Sequence, residues 1–180
     1  RLSPEVNIIH GTVKGNVFGG GQGLTANTVG TNPVVNMGYY DAMGSTSIDG
    51  SLIDRLVDTI HNHNTSCPSW NVPTSFSAIV GRDYNNIQAY NGKGNIYGGG
   101  ELAQVTDSTF VYIHDGRVIG SVYGGGMDGH VRRDASVTIN SGIIGSAYTA
   151  DEITKVGNIS DLNNIMWQHR GNVYGAGSGI

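Results

Sequence analysis

Two histidines separated by one residue, His61 and His63, have the spacing that comes closest to a metal site. Zinc sites in proteins are built from about four ligands, of which histidine is a common one. No third ligand accompanies the pair, and the single cysteine, Cys67, rules out an internal disulfide or a multi-cysteine site. We therefore interpret both histidines as solvated loop residues and expect neither a metal nor a cofactor.

Acidic residues offer a second chemistry, calcium binding. Asp128, in the segment Gly124-Gly-Gly-Met-Asp-Gly, resembles part of a calcium-binding nonapeptide repeat. Calcium takes six to eight oxygen ligands, so stacked calcium sites need the acid in every repeat. The equivalent position one repeat earlier is Leu102, which predicts that Asp128 is a corner carboxylate and not a ligand.

A third chemistry is polysaccharide cleavage, which uses two carboxyl groups flanking the scissile bond. The candidate group consists of Asp107, Asp128, Asp134, Arg132 and Arg133. No pair of these acids occupies matched positions in successive repeats, and the two arginines alternate sides of a strand. The sequence predicts no catalytic residue, and these charges are typical of solvated strand edges.

Several aromatic residues could stack on a sugar ring or contact a partner protein. The candidates for ligand stacking are Tyr39, Tyr40, Trp70 and Trp167. The alternative is that these rings cover a small core of their own.

A glycine-rich repeat dominates the elements that would position these residues. Its copies are Gly15-Asn-Val-Phe-Gly-Gly-Gly, Gly94-Asn-Ile-Tyr-Gly-Gly-Gly, Gly120-Ser-Val-Tyr-Gly-Gly-Gly and Gly171-Asn-Val-Tyr-Gly-Ala-Gly, with a degenerate copy from Gly145 to Ala150. The later copies are spaced by 26, 25 and 26 residues. Such a period favours one turn of a parallel β-solenoid, in which stacked turns share one core.

The agreement extends upstream of the motif. The segment Val6–Gly21 aligns with Val111–Gly126, and the positions of Ile79, Val105 and Val131 continue the spacing of 26 residues. Apolar residues alternate with a period of two, which predicts short strands. We expect the Val and Ile face to be the interior, although the opposite assignment of the two faces stays open.

The motif predicts two structural features. Its glycines should form a corner that needs positive φ or close backbone approach, and Ala176 in the middle position indicates that this position has an ordinary φ. The corner glycines are Gly19, Gly21, Gly98, Gly100, Gly124, Gly126, Gly175 and Gly177. The aromatic positions should stack as a ladder formed by Phe18, Tyr97, Tyr123, Tyr148 and Tyr174, with Asn and Ser beside it.

We expect one all-β domain over residues 1–180. Residues 1–21 form the first turn, 22–78 form a lateral insertion, and 79–180 form regular stacked turns. Apolar residues at helical spacing predict a short α-helix near residues 51–61 in the insertion.

Composition narrows the classes of function. Charged residues make up 13% of the chain and the net charge is −4, which disfavours nucleic acid as a partner. No stretch reaches about 18 apolar residues, so no membrane span is expected. The chain opens at Arg1 without a signal peptide, and we interpret it as a mature or excised segment.

The motif G-[NS]-[VI]-[YF]-G-G-G with an upstream V-x-I-x-x-G resembles the glycine-rich repeats of large bacterial cell-surface and adhesin-like proteins. The resemblance covers Val6–Gly21 and Ile79–Gly177 and implies an extracellular protein at the bacterial surface. Three functions follow as expectations. The first is a non-enzymatic structural protein that self-associates end to end into a fibre or stalk. The second is an adhesin that binds a glycan or surface protein through residues 22–78. The third is a polysaccharide-degrading enzyme.

Overall fold

The computed structural model describes residues 3–23, 28–38, 78–81, 93–145 and 171–178. These residues form short β-strands joined by turns and bends, and they include no helix. They therefore also contain no helix that is long and apolar enough to cross a membrane.

The strands fall into four sets, which we call layers 1 to 4. Layer 1 comprises β1 (Glu5–Ile8), β2 (Gly11–Val13), β3 (Val17–Phe18) and β4 (Thr28–Val29). Layer 2 comprises β5 (Val34–Met37), β6 (Ala78–Val80), β7 (Ile96–Tyr97) and β8 (Gln104–Val105). Layer 3 comprises β9 (Thr109–Ile113), β10 (Arg117–Val118) and β11 (Val122–Tyr123). Layer 4 comprises β12 (Ala135–Ile139), β13 (Ile143–Ile144) and β14 (Val173–Tyr174).

Each sheet takes one strand from successive layers, and all pairings are parallel. The three four-stranded sheets have the orders β1-β5-β9-β12, β2-β6-β10-β13 and β3-β7-β11-β14. A fourth, two-stranded sheet pairs β4 with β8, and a parallel bridge joins Val105 to Val131. The predicted all-β, parallel class is confirmed for the described residues.

The aliphatic face of the repeat forms the core, as predicted. Val111, Ile113, Val118 and Val122 are all buried and belong to one apolar cluster. The cluster continues into layers 1 and 2 through Ile8, Val17, Val35, Met37, Ala78, Val80 and Ile96. Because a single layer cannot enclose this apolar surface, each layer depends on its neighbours for burial.

The strands depart from the predicted boundary of the insertion. Strands β4 and β5, both within 22–78, pair with layers 1 and 3 as ordinary members of the sheets. Layer 2 therefore begins well before residue 79, and its strands β5 and β6 are far apart in sequence. The period of 26 residues does not reveal this layer because it is interrupted. The predicted helix near 51–61 lies outside the described residues.

One predicted column of the register is wrong. Ile79 pairs with Thr12 and Arg117 in the second sheet, whereas Val105 pairs with Val29 in the fourth. Ile79 therefore belongs to a different wall from Val105, although the two residues are spaced by one period. Sequence spacing misassigned Ile79 because layer 2 does not have the regular length that the extrapolation assumed.

Candidate functional site

The glycine run of each motif forms a backbone junction between successive layers. The amide of Gly19 donates to the carbonyl oxygen of Tyr97 (2.9 Å), and that of Gly98 donates to the carbonyl of Tyr123 (2.9 Å). One residue further on, the amide of Gly99 donates to Gly125 at 3.0 Å. These repeated bonds satisfy backbone groups that would otherwise be buried without partners.

Close approach, and not backbone conformation, explains the glycines of this corner. A methyl group on Gly99 would lie 2.6 Å from the amide nitrogen of Gly126, and one on Gly20 would lie 2.6 Å from that of Gly100. Described glycines with positive φ lie elsewhere, as in Gly94 at the start of a motif (φ 96°). Of the two explanations that the sequence offered for the corner, the structure supports close packing of backbones.

Layer 4 is the exception at this corner. A methyl group on Gly175 would meet nothing closer than the carbonyl oxygen of Ala135 at 4.0 Å. Ala176 occupies the middle position, which in layers 1 to 3 faces the backbone of the next layer. No strand of the described residues follows layer 4. The alanine therefore fits because the space that a next layer would fill holds none of the described strands.

The aromatic positions of the motif stack in one column. Ring centroids are 5.0 Å apart between Phe18 and Tyr97, 4.7 Å between Tyr97 and Tyr123, and 5.0 Å between Tyr123 and Tyr174. The interplanar angles are 7°, 8° and 12° in the same order. Tyr148 lies outside the described residues. The strand partner of Tyr123 is Tyr174, so the rung that the register gave to Tyr148 is taken by Tyr174.

The expectation that the ladder faces outward is wrong for its middle rungs. Tyr97 is 4% exposed and Tyr123 is 5% exposed, although neither belongs to the aliphatic core cluster. Burial, together with the charge of a neighbouring Tyr123, raises the pKa of Tyr97 to about 12, against a lowering by its hydrogen bond with Asn95. Burial likewise raises the pKa of Tyr123. Both faces of β7 and β11 are thus enclosed, which matches the alternative in which interior amides are satisfied.

The polar positions beside the ladder also connect layers. Asn16 Oδ1 accepts hydrogen bonds from the amides of Gly94 (2.8 Å) and Asn95 (3.0 Å). Asn95 Oδ1 accepts one from the amide of Ser121 (2.8 Å), and Asn95 Nδ2 donates to the hydroxyl of Tyr97 (3.3 Å). Ser121 Oγ in turn accepts from the amide of Asn172 at 3.2 Å. Each side chain therefore binds the backbone of the next layer, which fixes the register between them.

Sequence reasoning missed a second aromatic row, formed by Phe110, Tyr112 and His114. These residues alternate with the buried Thr109, Val111 and Ile113 along β9 and lie on the opposite, outward face. The centroids of neighbouring rings are 6.4 and 6.1 Å apart and the rings are parallel within 5°. The period of two within β9 was the signal that could have identified this row.

The other candidates for chemistry do not converge. Arg133 Nε lies 3.5 Å from Asp107 Oδ1 in a solvent-exposed pair. Within the described ranges, no group of three or more His, Cys, Asp or Glu side chains could hold a metal ion. The two histidines considered for zinc and the four predicted stacking residues lie outside those ranges; these are His61, His63, Tyr39, Tyr40, Trp70 and Trp167.

No protein-family model, curated protein or solved structure matches this chain. Its function is therefore inferred from the glycine corner, the ladders and the surfaces of the layers.

Proposed function

We propose that this chain is a non-enzymatic structural protein of the bacterial cell surface. In this proposal its layers are turns of a parallel β-solenoid of about 26 residues each, and copies stack end to end into a fibre or stalk. The resemblance of the repeat to surface-protein repeats supports the location. The geometry of layer 4 supports the assembly.

Exposure of core-type residues in layer 4 is the observation that carries the proposal. Val173 is 46% exposed, whereas its strand partner Val122 is 0% exposed. Ile139 is 42% exposed, whereas its partner Ile113 is 1% exposed. Tyr174, the last rung of the ladder, is 39% exposed. Covering these side chains would recover the hydrophobic stabilisation that the inner layers already have.

The sheet edges supply the second requirement of stacking. In each four-stranded sheet the layer 1 strand lies at one edge and the layer 4 strand lies at the other. A strand at a sheet edge presents backbone donors and acceptors that can pair with another chain. Since the two ends are different surfaces, their contact is head-to-tail and does not close, which builds a filament.

Sedimentation velocity over a range of concentrations tests this proposal. We expect wild-type protein to form concentration-dependent oligomers and Val173→Lys to weaken association by at least about tenfold, because an unpaired ammonium would be buried in the contact. Ile143→Lys is the matched control. It adds the same charge to the same layer, but on an outward position whose counterpart in layer 3 is Arg117.

Thermal melts of both lysine variants establish that layer 4 remains folded. A wild-type protein that stays monomeric at about millimolar concentration, where even weak contacts are populated, would contradict assembly. Equal weakening by the two lysine substitutions would mean that association depends on net charge and not on stacking of layer 4.

A further inference from the structure

The aromatic row of Phe110, Tyr112 and His114 contributes nothing to the core, which raises the question of what it contacts. The three rings lie on the outward face of β9, and each is partly exposed. Val111 and Ile113, which alternate with them, are both 1% exposed and fill the core from the opposite face. The rings are therefore presented on a rigid strand whose position is fixed by other residues.

Neutral polar side chains flank the row on both neighbouring strands. Asn36 and Thr138 lie on either side of Tyr112 in register, from layers 2 and 4. The Asn36 amide nitrogen donates to Glu5 Oε1 (3.1 Å) and Asn7 Oδ1 (2.8 Å), which holds that side chain in one orientation.

The same arrangement holds at the two ends of the row. Ser136 lies opposite Phe110 in register, and Asn140 Nδ2 lies 3.1 Å from His114 Nδ1. The row is thus an apolar strip one strand wide, bordered by amides and hydroxyls.

We propose that this surface is a binding site for a neutral glycan. A pyranose ring has an apolar C–H face and a rim of hydroxyl groups, so it needs an aromatic surface beside hydrogen-bonding groups. Phe110, Tyr112 and His114 provide three such surfaces along one line, which suits consecutive sugars of a linear chain. Asn36, Ser136 and Thr138 lie where they can bind the hydroxyl rim.

Charge separates a neutral glycan from the other ligands that stack on aromatic rows. Single-stranded nucleic acid also stacks on such rings, but it needs a basic groove to bind its phosphates. The charged residues beside this row are the acids Glu5 and Asp115, and the whole chain carries a net charge of −4. An uncharged ligand avoids the repulsion that these carboxylates would exert on an anionic one.

The site is separate from the surface proposed for assembly. The rings belong to layer 3, which has a partner layer on each side, whereas stacking involves the open end of layer 4. The site is also distinct from Tyr39, Tyr40, Trp70 and Trp167. Glycan binding and end-to-end association can therefore fail independently.

Isothermal titration calorimetry with cellohexaose, chitohexaose and maltohexaose tests the site, with a ten-residue deoxythymidine oligomer as the anionic probe. We expect wild-type protein to bind at least one hexasaccharide and not the oligonucleotide. Tyr112→Leu removes the ring but keeps apolar bulk, and it should weaken binding about tenfold or more, in line with the loss of one stacking contact. Tyr112→Phe keeps the ring and should stay within about twofold of wild type.

Three outcomes would overturn the glycan site. The first is that no hexasaccharide binds the folded wild type. The second is that Tyr112→Leu binds as tightly as wild type, because ring stacking would then not be the basis of recognition. The third is that the oligonucleotide binds more tightly than every sugar. Circular dichroism of both variants excludes unfolding as a cause of lost binding.

Discussion

Layers 3 and 4 carry nearly the same sequence motif but have opposite environments. In layer 3, Val122 and Tyr123 are buried and Gly124 is packed against the carbonyl of Gly175. In layer 4, the paired Val173 and Tyr174 are exposed, and Gly175 has open space beside it. The residue types are the same, so the difference comes from the neighbour on the far side.

This contrast teaches that the motif is a nearest-neighbour device. A layer gains its apolar burial, its ring stacking and its glycine contacts only where another layer lies on each side. A substitution at one position of the motif should therefore have a cost set by the layer in which it is made. Matched substitutions in inner and outer layers measure this dependence directly.

The glycine corner should give the largest difference. A methyl group on Gly98 would overlap the carbonyl oxygen of Gly124, whereas one on Gly175 would lie 4.0 Å from the nearest atom. We expect Gly98→Ala to destabilise by about 3 kcal/mol or more, because two backbones must separate, and Gly175→Ala to change stability by less than about 1 kcal/mol. Urea denaturation measures both. Equal losses would show that the corner is not held by close approach.

The aliphatic position should give a smaller difference. Val122→Ala leaves a cavity in the core and is expected to cost about 2 kcal/mol. Val173→Ala removes methyl groups that are already half in water and should cost less than about 1 kcal/mol for a monomer. Measuring both at low protein concentration separates folding from association. A larger loss for Val173→Ala would mean that layer 4 is covered in the monomer.

The smallest effect is expected from the ladder at alkaline pH. The folded-state pKa of Tyr97, about 12, lies above the ordinary value of about 10. The folded chain therefore holds this proton more tightly than the unfolded chain. The stability that results is complete below pH 10 and is lost as the pH rises towards 12.

Tyr97→Phe has no proton to lose at this position. We expect its stability to fall less steeply than that of wild type above about pH 10, in denaturation curves followed alongside tyrosinate absorbance. Parallel curves for the two proteins would contradict the raised pKa.

The parts of the fold that sequence could predict are those with a strict period. Alternation in Val111–Ile113 identified the inward face, and Val111 does pair with Val137 as the alignment indicated. Layer 2 could not be predicted, because β5 and β6 are separated by a long stretch that breaks the period. Ile79 was misplaced for the same reason.

Burial of the ladder is a property that a motif cannot report on its own. The sequence identifies Tyr97 and Tyr123 as aromatic positions on the face opposite Ile96 and Val122. Whether such rings are enclosed depends on what packs over them in three dimensions. The row on β9 was overlooked for a related reason, because Phe110 and Tyr112 have no aromatic counterparts in the same column of the other layers.

Ala176 has a mechanical consequence for any filament built by stacking. At every junction its methyl group would oppose the backbone of the arriving copy, a crowding absent at the equivalent glycines Gly20, Gly99 and Gly125 within a copy. Contacts between copies would then be weaker than contacts between layers. Under tension such a filament would part at its junctions and release intact subunits, with each subunit still folded.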